Sequence, residues 1–129
     1  MTIPIDADSG GFELTVLAAP RAEQQAAADA WLARASGSRA IVVEGPIVPL
    51  PVPPGVASVA LGAGCPCCSG FVALRVALAR VLREHRPDQT LVLVAAPCHV
   101  DQVAERLAAF PFGAPLKIHV GPTAEAMER

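Results

Sequence analysis

Residues 62–70 read GAGCPCCSG, and this stretch contains three of the four cysteines in a chain of 129 residues. The apolar run Val56–Leu61 precedes it, and apolar residues at helical spacing follow it. The sequence therefore predicts a strand, a loop that carries thiols, and a helix. In an open α/β sheet such a loop lies at the carboxyl ends of the strands, where ligands bind. The start of a helix also favours a thiolate over a thiol.

Outward from this loop, short apolar segments alternate with segments of helical character. We predict strands at Glu13–Ala18, Arg39–Glu44, Val56–Leu61, Thr90–Ala96 and Leu116–Val120. We predict helices at residues 21–34, 71–86 and 97–110, with Pro20 opening the first and Pro97 the last. The alternation predicts a three-layer α/β fold, with a mostly parallel sheet and helices on both faces.

The two later helices carry apolar stripes that we expect to pack on the sheet. The stripes are formed by Phe71, Leu74, Leu78, Val81 and Leu82 in the first of these helices and by Val100, Val103, Leu107 and Phe110 in the second. His85, near the end of the first, is interpreted as a solvated residue beside the helix dipole. His119 is interpreted as a structural residue of the last strand.

The length fits one domain spanning residues 1–129. Within it, we expect residues 1–11 to form a flexible leader and residues 45–55, which include five prolines, to form an extended loop. No apolar run reaches the ~18 residues of a membrane-spanning helix, and the N-terminus lacks the features of a signal peptide. We therefore expect a cytoplasmic protein, in which cysteines are more often metal ligands or redox groups than disulfides.

The composition also narrows the range of partners. The formal net charge is −2, and the chain has no tyrosine and one tryptophan. Its basic residues form no long run. These features argue against nucleic acid and anionic membranes as partners.

Residues 64–68, GCPCC, resemble the GCxCC motif of the CobW-type metallochaperone GTPases, which have a P-loop fold. Residues 42–45, VVEG, resemble that family's Asn-Glu-Phe-Gly-like segment, with Val43 in place of the asparagine. Residues 95–103 stand where the family has a switch segment after its next strand. The resemblance spans about residues 12–110, and the cysteine motif is its specific part. It implies a P-loop NTPase-like fold and a role in the trafficking of metals, mostly zinc or cobalt.

The same comparison predicts that nucleotide chemistry has been lost. A P-loop requires GxxxxGK[ST], whereas residues 17–25 read LAAPRAEQQ and contain no glycine, lysine, serine or threonine. The strand at residues 91–96 ends without an acidic residue, no Asn-Lys-x-Asp guanine-binding motif occurs, and the family's C-terminal domain is missing. We therefore expect a truncated, degenerate P-loop domain with no nucleotide cofactor and no enzymatic activity.

The thiols predict a soft-metal site, with zinc as the first choice because zinc prefers four Cys or His ligands. The predicted ligands are Cys65, Cys67 and Cys68, completed by Cys98 or His99 from the edge of the adjacent strand. Because Cys67 and Cys68 are neighbours that point apart in extended backbone, it stays open whether all three thiolates bind one ion. The family resemblance adds Glu44 as a further candidate ligand, since it matches the Asn-Glu position.

Two other classes of function stay open. The chain could be a non-enzymatic interaction module in which the cysteines are remnants, with the proline-rich loop as one binding surface. It could also be a thiol redox protein, because Cys65 and Cys68 have CxxC spacing. Under the metal hypothesis, the partners are the ion and a client protein or a full-length GTPase relative. An open sheet edge also leaves a homodimer as an alternative.

Overall fold

The computed structural model describes residues 12–46, 48–61, 72–95, 98–109 and 116–121, and for Cys98, His99 and Leu116 it describes the backbone alone. The strands are β1 (Phe12–Ala18), β2 (Arg39–Val43), β3 (Val56–Ala60), β4 (Gln89–Val94) and β5 (Leu116–Val120). The helices are α1 (Gln24–Arg34), α2 (Val72–His85) and α3 (Cys98–Ala109). The predicted leader, residues 1–11, lies outside the described residues.

The five strands form one sheet in the order β3-β2-β4-β1-β5. All four neighbouring pairs are parallel. The prediction of an α/β fold with a parallel sheet is therefore confirmed. The register places Val43 of β2 opposite Ala60 of β3 and Leu93 of β4, so these three strands end at the same level.

One face of the sheet is covered by α2 and α3. The strand side chains on this face include Leu14, Val16, Ala40, Val42, Val92 and Val94. The predicted stripes supply the helix side of this cluster: Leu74, Leu78, Val81, Leu82, Val100, Val103 and Leu107 are all buried. Phe71 and Phe110, the remaining members of the predicted stripes, lie outside the described residues. Each large apolar side chain buried in this way contributes roughly 1.5–3 kcal/mol to folding.

The opposite face is covered by α1 and by the proline-rich loop. Ala27, Ala28, Trp31 and Leu32 of α1 pack on Leu17, Ile41, Val43, Leu91 and Leu93 of the strands. Because both faces are covered, the central strands β2 and β4 carry continuous apolar runs rather than an alternating pattern. The helices therefore lie on both faces, as predicted.

The proline-rich loop, residues 45–55, takes the place of a helix between β2 and β3. The part that the structure describes has no helix or strand, as expected from its prolines. Leu50 and Val52 pack against the α1 side of the core. Ser58 Oγ donates a hydrogen bond to the carbonyl oxygen of Leu50 at 2.9 Å, and Gln25 Nε2 donates to that of Pro51 at 3.1 Å. The loop is therefore attached to both β3 and α1.

The boundaries of the elements differ from the predicted ones by a few residues. Residues 21–23 form a 3-10 turn before α1 rather than its first turn, because the amide of Glu23 donates to Pro20 at 2.7 Å in an i to i+3 bond. β4 ends at Val94, two residues earlier than predicted. α3 begins at Cys98 in the described part of the chain, and Pro97 lies outside it.

The connections that leave β1 and β4 diverge. β1 leads into α1 on one face, whereas β4, which lies beside it, leads into α3 on the other face. This divergence is the topological switch point of an open α/β sheet, and ligands bind at the carboxyl ends of strands there. In the described part of the chain, no helix has the length and apolar character that crossing a membrane requires.

Candidate metal site at the carboxyl edge of the sheet

The sheet order brings the predicted ligand segments to one edge of the sheet. The prediction that the strand before Cys98 and His99 is adjacent to the strand before the cysteines is wrong, because β2 lies between β3 and β4 and pairs with both. β3 ends at Ala60 and leads toward residues 62–71, which contain Cys65, Cys67 and Cys68 and lie outside the described residues. β2, between β3 and β4, ends directly before Glu44. β4 leads to Cys98 and His99, the first two residues of α3, whose side chains are not described. Because neighbouring strands lie about 5 Å apart, the ends of β3 and β4 are roughly 10 Å apart.

Glu44 is a buried acidic residue directly after β2, at the part of the edge between the ends of β3 and β4. Its side chain and backbone together are only 4% exposed. The backbone N–H donates to the carbonyl oxygen of Leu93 at 2.9 Å, which extends the pairing of β2 with β4 by one residue. Its carboxylate Oε1 accepts a hydrogen bond from the N–H of Ala95 at 2.7 Å. The side-chain oxygen is therefore hydrogen-bonded to main chain, as a buried polar group requires.

Gln24, the first residue of α1, is a second buried polar residue at this edge, and it was not among the predicted site residues. It is 1% exposed. Its Nε2 donates to the carbonyl oxygens of Glu44 at 2.8 Å and of Ala19 at 3.2 Å. A sequence signal for this role does exist: Gln24 falls on the buried stripe of α1, with Ala28 and Trp31 at helical spacing, and a polar residue on such a stripe requires a partner.

The connection between β1 and α1 is short and tied to the sheet. Ala19 and Pro20 are the two residues between β1 and the 3-10 turn. The N–H of Ala19 donates to the carbonyl oxygen of Val94 at 2.8 Å. Gly45, after Glu44, has φ +120°, and a Cβ atom there would lie 2.7 Å from Cδ of Arg21. The side chain of Arg21 thus passes close over the turn that follows β2.

The two other histidines lie away from this edge. His85 is exposed in the last turn of α2, as predicted. His119 lies in β5, the edge strand on the far side of β1, with its Nε2 3.9 Å from Oε1 of Glu13. Its side chain is 59% exposed, so it is a surface residue of the strand.

The described residues do not by themselves form a metal site. Among them, no group of three or more His, Cys, Asp and Glu side chains is arranged to hold an ion. Of the predicted ligands, the structure describes Glu44 in full. Residues 62–71 and the side chains of Cys98 and His99 lie outside the described part of the chain. The donor set itself, thiolates with an imidazole or a carboxylate, suits zinc.

Comparison with protein-family models, with curated proteins and with solved structures finds no match to this chain.

Proposed function

We propose that this chain binds a soft metal ion, with zinc as the first choice, at the carboxyl edge of its sheet. Cys65, Cys67 and Cys68 are the proposed thiolate ligands, and Cys98 or His99 completes the coordination. The observation that carries the proposal is the strand order β3-β2-β4, since the cysteine loop follows β3 and the Cys98-His99 pair follows β4. Two segments separated by about 30 residues of sequence thereby leave the sheet at the same edge.

The chemistry of the residues supports zinc rather than a hard cation. Thiolates and imidazoles are preferred by zinc, whereas magnesium and calcium take oxygen ligands. A structural zinc site uses four ligands, and the cysteine loop with one residue from the start of α3 can supply that number. Cys98 lies in the first turn of a helix of 12 residues, where the positive end of the helix dipole stabilises a thiolate.

The β1–α1 connection supports the proposal that the domain does not bind nucleotide. In a P-loop, successive main-chain N–H groups surround the phosphates. Here the N–H of Ala19 is bonded to Val94, and Pro20 has no N–H. We therefore propose a degenerate P-loop-like domain without enzymatic activity, which acts in the cytoplasm as an accessory in metal trafficking. Its partner would be a client protein or a full-length GTPase relative.

The first test is the metal content of untagged protein purified without chelator, measured by elemental mass spectrometry beside a count of reactive thiols. We expect about one zinc per chain and protected thiols, because the proposed ligands suffice for a single tetrahedral site. Chelation should expose the thiols and lower Tm, since a ligand at 100 times its Kd stabilises the folded state by about 2.7 kcal/mol.

Variants assign the ligands. Cys67→Ser should reduce both the zinc content and the melting temperature, and Cys98→Ser compared with His99→Ala should identify the ligand from α3. His85→Ala is the matched control, because this histidine is exposed on the last turn of α2. A chain that takes up no zinc and has four reactive thiols would overturn the proposal and leave the interaction-module function. A disulfide between Cys65 and Cys68 that exchanges with a partner thiol would favour redox chemistry instead.

A further inference from the structure

We propose that Glu44 is a positioning residue, whose carboxylate holds Ala95, the residue that follows β4, and thereby limits where α3 can begin. The inference rests on the proposed metal function. It gives Glu44 a role beside the metal ligands rather than among them.

The position of Glu44 is itself set by main-chain hydrogen bonds. Its N–H donates to Leu93 at 2.9 Å, and its carbonyl oxygen accepts from Nε2 of Gln24 at 2.8 Å. Gln24 also donates to the carbonyl oxygen of Ala19, so the end of β1, the start of α1 and the end of β2 are joined through one carboxamide. The backbone of Glu44 therefore cannot shift without breaking bonds to two other segments.

From this fixed base, the carboxylate reaches the chain directly beyond β4. Its Oε1 accepts the N–H of Ala95 at 2.7 Å, and Ala95 follows the last residue of β4. At 2.7 Å this bond is at the short end of the range for N–H···O hydrogen bonds. With Glu44 only 4% exposed, water competes little for this acceptor.

The hydrogen bond between Glu44 and Ala95 bears on the proposed metal site because Ala95 is close to Cys98 in sequence. Ala95 precedes Cys98 by three residues, and an extended residue spans at most about 3.6 Å. Fixing Ala95 thus limits how far the start of α3 can move relative to β2 and to the end of β3 beside it. Residues that hydrogen-bond directly to metal ligands typically change metal affinity 10–100-fold when they are replaced, and we expect the lower end of this range because Glu44 acts through Ala95.

The test compares Glu44→Gln with Glu44→Ala in the full chain, with zinc affinity measured by competition with a chromophoric chelator. Glutamine keeps an oxygen that accepts the N–H of Ala95, so we expect affinity within about threefold of the original chain. Alanine removes the acceptor, and we expect zinc binding to weaken about 10-fold. Glu105→Ala, at an exposed position of α3, is the matched control and should leave the affinity unchanged.

A second readout reports on the connection without metal. Hydrogen exchange of the Ala95 amide, followed by NMR in the zinc-free protein, should be faster in Glu44→Ala and close to the original rate in Glu44→Gln. If Glu44→Ala does not fold, Glu44→Asp serves instead. It keeps the charge but shortens the side chain, and we expect faster exchange and weaker zinc binding.

Two results would overturn the inference. The first is a loss of affinity in Glu44→Gln equal to that in Glu44→Ala, together with a changed absorption spectrum of bound cobalt(II). That result would make Glu44 a ligand. The second is unchanged amide exchange and unchanged affinity in Glu44→Ala. If the original chain binds no zinc, the proposed metal function fails. Faster exchange of the Ala95 amide in Glu44→Ala would in that case still support the role of Glu44 in positioning Ala95.

Discussion

Nε2 of Gln24 lies 2.8 Å from the carbonyl oxygen of Glu44 and joins the first residue of α1 to the residue that follows β2. The two residues are 20 positions apart in sequence, and both are buried. Gln24 also donates to Ala19, so a single carboxamide satisfies two main-chain carbonyls at the carboxyl edge.

This relationship predicts that Gln24→Ala destabilises the fold. The substitution leaves two carbonyl oxygens without their donor, and we expect the free energy of unfolding to fall by about 1–3 kcal/mol. Urea denaturation measures the change. Gln25→Ala is the matched control, because Gln25 makes its hydrogen bonds to Asp29 and Pro51 at the surface and should cost less than about 1 kcal/mol. Equal losses in the two variants would contradict the assigned role of Gln24.

We expect the replacement of Thr90 by valine to stabilise the fold. Thr90 is buried at 1% exposure in β4, between Leu14 and Ala40 of the neighbouring strands. Its Oγ1 has no hydrogen-bond partner among the described residues. Thr90→Val replaces a desolvated hydroxyl by a methyl group of similar size, and we expect the free energy of unfolding to rise by about 1 kcal/mol.

Thermal and urea denaturation of Thr90→Val, beside Thr15→Val in β1, measure this gain. Thr15 is half-buried, so its hydroxyl is less costly to the fold and its replacement should change stability by under about 0.5 kcal/mol. A loss of stability in Thr90→Val would mean that the hydroxyl has a partner in the folded protein.

The packing of α2 predicts that substitutions at two of its residues differ strongly in their effect on the free energy of unfolding. Leu78 is fully buried in the cluster formed with the sheet and α3, whereas Val76 is 58% exposed. Leu78→Ala should lower the free energy of unfolding by about 2–5 kcal/mol because it removes apolar contacts and leaves a cavity. Val76→Ala should change it by less than about 0.5 kcal/mol. Similar effects of the two substitutions in urea would show that α2 does not pack on the sheet through this face.

Alanine substitutions at Gly45 and Gly55 distinguish the cost of backbone strain from the cost of a steric clash. Both glycines have positive φ, +120° and +89°, but a Cβ at Gly45 would meet Arg21 at 2.7 Å, whereas one at Gly55 would have no heavy atom within 4 Å. We expect Gly55→Ala to cost about 1–2 kcal/mol from strain alone and Gly45→Ala to cost more.

The double variant Gly45→Ala with Arg21→Ala completes this comparison. It should recover the part of the cost that comes from the clash but keep the part that comes from strain, a coupling that a double-mutant cycle measures. Strict additivity of the two changes would show that the Arg21 side chain does not pass over Gly45.

Much of the architecture could be predicted because the local patterns and the tertiary environment agree. The apolar runs of β2 and β4 are continuous since both faces of those strands are covered, and the stripes of α2 and α3 face the sheet at helical spacing. Among the described residues, the ends of several elements differed, because a single hydrogen bond, such as that from Glu23 to Pro20, decides between a 3-10 turn and an α-helix. The predicted adjacency of β3 and β4 was wrong, since β2 lies between them.

The sequence by itself determined the alternation of strands and helices, the apolar side of α2 and α3, and the clustering of three thiols within residues 65–68, because these depend on residues close together in the chain. It could not determine which strands are neighbours. The order β3-β2-β4-β1-β5 comes from packing helices on both faces, and that order brings Glu44 to Ala95 and Gln24 to Glu44. Those bonds join residues 20 and 51 positions apart, so only the tertiary structure could reveal them.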